Sequence, residues 1–251
     1  DILKQLAEAD PGNRYAAPYM WGTQGLGYNA AAIEARMPNA PNDSWDLLFK
    51  PDIVAKFADC GVAMLDSPSE IFPIALNYLG LNRYSARPED YAKVEAMLTA
   101  IRPSIRYFNS SQYIDDLANG EICLAFGYNG DIYQARRRAK AGVDIRYSVP
   151  KEGTTVSVDV MAIPADAPHP DAALAFINYI LPPQVAADIT DAVYFATPNA
   201  KATPLVKADI RDDPGIYPPA AMMGRLFIEK RPDHRTDQTR TRIWTRVKTG
   251  E

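Results

Sequence analysis

Apolar positions along the chain change period repeatedly. Short runs of β-branched and aromatic residues give way to longer stretches in which apolar side chains return every three or four residues. Pro18 to Asn29 reads as extended, with Gly22, Gly25 and Gly27 permitting bends. Ser44 stands at the start of a short helix holding Trp45, Leu47 and Leu48. Val62 to Leu65 predicts a strand. It leads into a helix over Pro68 to Leu79, with Ile71, Ile74, Ala75, Tyr78 and Leu79 on one face. A second helix opens near Pro88, carries Tyr91, Val94, Leu98 and Ile101 on one face, and ends at Pro103. Ile105 to Phe108 and Ile122 to Phe126 predict strands. A short helix between them is ended by Gly120, and another follows over Gly130 to Ala141. Val143 to Val149 and Val156 to Ile163 are further strands, and helices are expected at Pro170 to Leu181 and Gln184 to Asp191. The tail past Pro204 is proline-rich, then charged, with a last apolar stretch at Ile243 and Trp244.

Strands that alternate with helices predict an α/β fold with mostly parallel pairing. In such a sheet ligands bind beyond the carboxyl ends of the strands. Three strand-to-helix turns would then share one edge: Leu65 to Glu70, Phe108 to Ser111, and Phe126 to Asp131. Two of them place a carboxylate, Glu70 or Asp131, in the first helical turn. Two readings remain open for these acids. Ser67-x-x-Glu70 fits a capping box, and Asp131 fits a helix dipole; or the carboxylates receive a cation. Asp159, inside the apolar run Val156 to Met161, is costly if buried alone. It faces solvent, joins a salt bridge or serves a site.

Lys and Arg number 27 against 31 Asp and Glu, a net charge of −4, which argues against a nucleic-acid binder. No apolar run approaches the ~18 residues of a membrane helix. The chain opens at Asp1 with an apolar helical face of Ile2, Leu3 and Leu6, so a mature fragment or trimmed piece of a longer protein is expected. Cys60 and Cys123 are the only cysteines, too few for a structural zinc site without nearby histidine. A disulfide between neighbouring strands and a pair of buried thiols both remain open. A bridge would close a loop of roughly 64 residues and stabilise by roughly 4 kcal/mol.

Gly22-Thr23-Gln24-Gly25-Leu26-Gly27 reverses the glycine order of a dinucleotide fingerprint. No phosphate loop, nucleophile elbow or Cys–His pair is present, and no cofactor is called for. Arg136-Arg137-Arg138 reads as the solvated side of a helix. An amine-acting enzyme using Glu70, Asp131 or Asp159 as acid–base groups would lack every such accessory.

Several segments recur together in one family. They are Tyr19-Met20-Trp21-Gly22-Thr23, Gly25, Gly27-Tyr28-Asn29, Ser44-Trp45-Asp46-Leu47, Asn77-Tyr78-Leu79-Gly80, Ser110-Ser111-Gln112-Tyr113-Ile114, Pro150-Lys151-Glu152-Gly153, and Pro214-Gly215-Ile216-Tyr217-Pro218-Pro219. Over essentially its whole length the chain resembles the periplasmic polyamine-binding proteins of ABC importers, on the putrescine-type branch. The resemblance implies a two-lobed periplasmic binding protein (type II) with one lobe incomplete. Residues 1–22 would be a remnant of lobe 1, 23–158 lobe 2, 159–204 the return to lobe 1, and 205–251 a C-terminal helical segment packing across both. It implies a Cys60–Cys123 disulfide and a non-catalytic role in the periplasm. The partners would be a polyamine and a membrane permease, with an amine sensor as the alternative.

Position by position, the resemblance assigns Glu70 and Asp131 to an ammonium end, Asp159 to the other amine and Ser110 to a hydroxyl contact. Tyr128 would be an aromatic wall. Phe195 keeps the ring but loses the hydroxyl of the tyrosine usual there. Ser157 stands where the family has an aromatic, and Glu229 where it has Leu or Gln. Those two departures predict a guest bulkier or more cationic than putrescine. Ser67 stands where spermidine-type members carry Asp.

Overall fold

The computed structural model describes residue 6 and residues 10–250. Apart from Leu6, the helix expected over Asp1–Ala9 lies outside these residues. Seven strands are described: β1 (Ala17–Asn29), β2 (Val62–Met64), β3 (Tyr107–Phe108), β4 (Leu124–Tyr128), β5 (Ile145–Ser148), β6 (Thr155–Met161) and β7 (Phe227–Ile228). The longer helices are α1 (Ala30–Arg36), α2 (Pro68–Tyr78), α3 (Pro88–Ile101), α4 (Tyr113–Asn119), α5 (Asn129–Arg137), α6 (Pro170–Ile180), α7 (Pro183–Val193) and α8 (His234–Thr249).

The strands run in the order β3-β2-β4-β1-β6-β7, with β5 on the other edge of β1. β2 is parallel to β3 and β4, and β6 is parallel to β7. β1 is antiparallel to all three of its partners, β4, β5 and β6. The expectation of mostly parallel pairing is therefore corrected to a mixed sheet. Hydrophobic period predicts a strand but carries no record of the direction of its partner.

β1 changes partners along its length, with β5 also pairing Leu26 to Asn29. Ala17 to Thr23 pair with β6, and Gln24 to Tyr28 pair with β4. The change of partner falls between Thr23 and Gln24, and each half has its own core. One gathers Leu26, Trp45, Phe57, Met64, Phe72, Tyr91, Phe126 and Trp244. The other gathers Trp21, Val156, Ala187, Ala196, Ile210 and Ile216. Both are close-packed aliphatic and aromatic clusters of the kind that supplies most folding free energy.

Several segments of the family resemblance meet in one polar knot. The Ser44 hydroxyl donates to Glu152 Oε1, and Trp45 N donates to Glu152 Oε2 at 3.1 Å. Trp45 Nε1 donates to Gly153 O at 2.9 Å, and Asn77 Nδ2 to Glu152 O at 2.8 Å. Tyr78 donates its hydroxyl proton to Asp46 at 2.7 Å. These recurring residues tie the chain just before β6 to helix α2 and the segment ahead of it. They are architecture rather than ligand chemistry.

Cys60 and Cys123 form a disulfide with Cα atoms 5.5 Å apart. It links the residue two before β2 to the one preceding β4, strands that are hydrogen-bonded neighbours. Helix α8 packs against α2 and α3. Trp244 donates to Asp66 Oδ1 at 2.7 Å, and Lys248 reaches the same carboxylate at 2.9 Å.

Candidate cation-binding cleft

Because β2, β3 and β4 are parallel, their carboxyl ends share an edge, and the three turns singled out from the sequence lie along it. α2 brings Glu70 in its first turn, and α5 brings Asp131 in its first turn. The capping reading of Ser67-x-x-Glu70 gives way here. The Ser67 side chain caps no backbone N–H; its hydroxyl instead supports the Glu70 carboxylate and meets Ser69 Oγ at 3.1 Å. Glu70 turns inward. Its Oε2 accepts the Tyr128 phenol at 2.8 Å, and its Oε1 accepts Gln24 Nε2 at 2.9 Å.

Asp131 Oδ2 accepts the hydroxyl of fully buried Tyr113 at 2.7 Å, and that same oxygen of Tyr113 accepts Tyr128 N at 3.2 Å. Ser157 Oγ accepts Gln24 Nε2 at 2.6 Å. Asp159, two residues along β6, opens toward solvent and accepts no hydrogen bond from the described residues. The negative charges of Glu70, Asp131 and Asp159 all act on the Tyr128 phenol, which burial and then Glu70 push well above its usual range. Of the three, Glu70 touches the phenol directly, and Asp131 is joined to Tyr128 through the Tyr113 hydroxyl.

Their electrostatics have a common feature. Burial is the largest influence on each, and it pushes each above its usual carboxylate range. Hydrogen bonds from Tyr128, Ser67 and Gln24 oppose this at Glu70, and Tyr113 and Arg138 oppose it at Asp131. Nothing opposes it at Asp159. Neither Glu70 nor Asp159 has an Arg or Lys lowering its pKa, an arrangement that favours an added cation. Among the described residues no group of His, Cys, Asp and Glu could hold a metal ion.

The Phe195 ring lies over Gly22 and over Gly130, the residue before Asp131. A Cβ at Gly130 would fall 2.2 Å from its Cε2, and a Cβ at Gly22 would fall 2.7 Å from its Cδ1. Both glycines are the condition for the ring to lie there. Tyr128 provides the second ring. Glu229, just past β7, lies within reach of the Glu70 charge. Burial, with that charge, pushes it up to about 7, against the pull of Arg240. It pairs with Arg240 Nη1 at 3.3 Å. Arg240 is only 3% exposed and also donates to the Tyr91 hydroxyl at 3.0 Å. Its charge is thus matched within the protein.

Ser110 stands apart. It is exposed, its Oγ accepts Asp66 N at 3.1 Å, and no contact among the described residues joins it to the carboxylates. Two buried residues of the site escaped the sequence reading, Gln24 and Tyr113. Tyr113 lay within a recurring segment. Gln24 was flanked by glycines that drew attention to a nucleotide motif instead.

Residues 1–218 match the family model described as bacterial extracellular solute-binding protein. The chain belongs to that family. Its members are solute binders rather than enzymes. Across its full length the chain is 50% identical to the putrescine-binding periplasmic protein PotF of Escherichia coli (strain K12). It is 48% identical to the putrescine-binding periplasmic protein SpuD of Pseudomonas aeruginosa (strain UCBPP-PA14). It spans 69% and 70% of those relatives. The fold matches the spermidine/putrescine ABC transporter substrate-binding protein PotD from Streptococcus pneumoniae with a TM-score of 0.81 at 26% identity, over 96% of this chain and 71% of that one. A putative spermidine/putrescine ABC transporter from Listeria monocytogenes matches with a TM-score of 0.85 at 25% identity, over 100% of this chain and 74% of that one. These matches agree with the α/β solute-binding fold expected from sequence.

Proposed function

We propose that the chain captures an aliphatic polyamine of the putrescine class in the periplasm and presents it, unchanged, to the membrane permease of an ABC importer. The observation that carries this reading is the set of carboxylates raised by burial at one edge of the sheet, of which Glu70 and Asp159 have no Arg or Lys lowering them. Asp159 receives one ammonium end, Glu70 and Asp131 the other, and Tyr128 and Phe195 flank the methylenes. Relatives whose names specify putrescine, at 50% and 48% identity, support the ligand class. The disulfide fits an oxidising compartment.

The energetics are sufficient. A charge-assisted hydrogen bond contributes about 1.5–3 kcal/mol, and a desolvated cation–π contact up to about 2 kcal/mol. Putrescine has six non-hydrogen atoms, so the ceiling on its binding free energy is roughly −9 kcal/mol, a Kd slightly below micromolar. The pairing of Glu229 with Arg240 at 3.3 Å weighs against the charge argument for a more cationic guest. The space left by Ser157 remains the one argument for a wider one.

Closure is a hinge motion of the two β1-sharing halves. The first crossing lies at Thr23–Gln24, where β1 changes partner, and the return crossing at about Thr155, where β6 begins. Calorimetric titration tests the ligand reading. Putrescine should bind, and 1,4-butanediol, of the same length without charge, should not. Equal binding of the two would overturn it. Spermidine in a parallel titration reads the width of the slot.

A further inference from the structure

Gln24 is fully buried, lies where β1 leaves the β6 ladder for the β4 ladder, and spends every polar atom of its side chain. Its Nε2 donates to Glu70 Oε1 at 2.9 Å and to Ser157 Oγ at 2.6 Å. Its Oε1 accepts the Thr155 hydroxyl at 2.6 Å. The orientation of this amide is settled by chemistry. An ionised carboxylate offers only lone pairs, so the NH2 faces Glu70, and the hydroxyl of Thr155 then has the carbonyl oxygen to donate to. We propose that Gln24 is a positioning residue of the cation site: clamped by Thr155, it fixes the Glu70 carboxylate of one half against the Ser157 hydroxyl of the other, so that two walls on separate ladders meet the guest as one.

The proposal rests on the cation-binding reading above and deepens it. Tyr128, the ladder partner of Gln24, takes the second oxygen of Glu70. Glu70 is thus gripped from β1 through one oxygen and from β4 through the other. A carboxylate has about four lone-pair directions. The amide and the phenol occupy one on each oxygen, which limits the directions in which Glu70 can receive an N–H from the guest. A freely rotating carboxylate would offer its charge anywhere. This one offers it only in the directions that Gln24 and Tyr128 leave open. Ser157 keeps a lone pair and its own proton while held by the amide, so its polar face is fixed as well.

The groups facing Glu70 are Tyr128 from β4, Gln24 from β1 and Ser67 from its own turn, and Glu229 just past β7 feels the Glu70 charge. Of these, Gln24 is the one that also reaches β6. Replacement by Leu removes the donor to Glu70 and to Ser157 together. Replacement by Glu keeps the shape but sets a second carboxylate against the first.

The experiment compares the 251-residue chain with Q24L, Q24E and T155V. Two readouts are taken: the titration of Glu70 by carboxyl carbon-13 NMR without ligand, assigned with E70Q, and calorimetric titration with putrescine across pH. In Q24L the Glu70 midpoint should rise by about one pH unit, from the loss of a hydrogen bond to the charged form. Q24E should raise it further, and T155V should raise it less. Putrescine affinity should fall about tenfold in Q24L, with the loss growing toward acid pH. A merely structural glutamine would leave the Glu70 midpoint in place, and that result overturns the proposal. Should Q24L fail to fold, the isosteric Q24E carries the same readout. Failure of the wild-type chain to bind putrescine would count against the cation-binding reading, while the ligand-free titration of Glu70 still decides the role of Gln24.

Discussion

The acids on the outer surface and those in the cleft live under opposite conditions. Asp59 lies against Arg36 at 2.6 Å and is held down to about 2, with the guanidinium hydrogen bond as the main cause. Asp212 beside Arg211 is likewise lowered by its guanidinium. Glu89 is lowered first by its own backbone N–H and then by Arg87. In the cleft, Glu70, Asp131 and Asp159 are all raised, with burial as the leading cause. The same side-chain chemistry is satisfied from within at one place and left to be satisfied from outside at the other. Sequence counts of acid and base miss this distinction, because it depends on which carboxylates have cations within reach.

The largest effect should come from emptying the cleft of charge. The double variant E70Q/D159N should lower putrescine affinity at least hundredfold, given about 1.5–3 kcal/mol for each charge-assisted bond. Calorimetry checks this, and an unchanged Kd would place the guest elsewhere. Reducing the disulfide, or making C60S/C123S, should cost about 4 kcal/mol of unfolding free energy in denaturant, the value for a loop of 63 residues. Affinity of the folded fraction for putrescine should survive, which separates stability from capture.

Acidity sharpens the contrast next. The cleft carboxylates have folded pKa values above their unfolded ones. The empty folded chain therefore binds more protons than the unfolded chain just above the ordinary carboxylate range, and its stability falls as pH rises through that window. A cationic guest favours the ionised forms. Binding should release protons in the same window, and affinity should weaken on acidification. Calorimetry in buffers of different ionisation enthalpy reads the proton count directly.

A smaller response is expected at Glu229, raised to about 7 by burial. E229Q should remove the fall in stability as pH rises through about 7 while leaving the acidic window in place, read by denaturant unfolding across pH. The smallest belongs to the surface. D59N should scarcely change melting at moderate salt, since Asp59 is exposed and its attraction to Arg36 is screened.

Much of this arrangement was legible in the residues. Period alone located β2, β4 and β6 and the helices after Pro68 and Pro88, because burial of one face imposes it. The convergence of the Glu70 and Asp131 turns followed from β2 and β4 being parallel. Elsewhere local rules lost to distant partners. Ser67-x-x-Glu70 reads as a cap, yet Glu70 binds Gln24 and Tyr128, 46 and 58 residues away. The strand holding Gln24 was visible, but that it is antiparallel to every neighbour was not, since direction is set by topology rather than by pattern. Glu229 pairs with Arg240, eleven residues on, a partner that no local pattern announces.

A strand whose two halves pair with different neighbours has a consequence for anyone grafting this scaffold. A chimera joined near residue 24 severs no loop. It cuts a single β-ribbon on which both cores were assembled, so each parent must bring its own Thr23–Gln24 junction intact. Recombination points that preserve β1 whole should yield foldable hybrids, and those that split it should not.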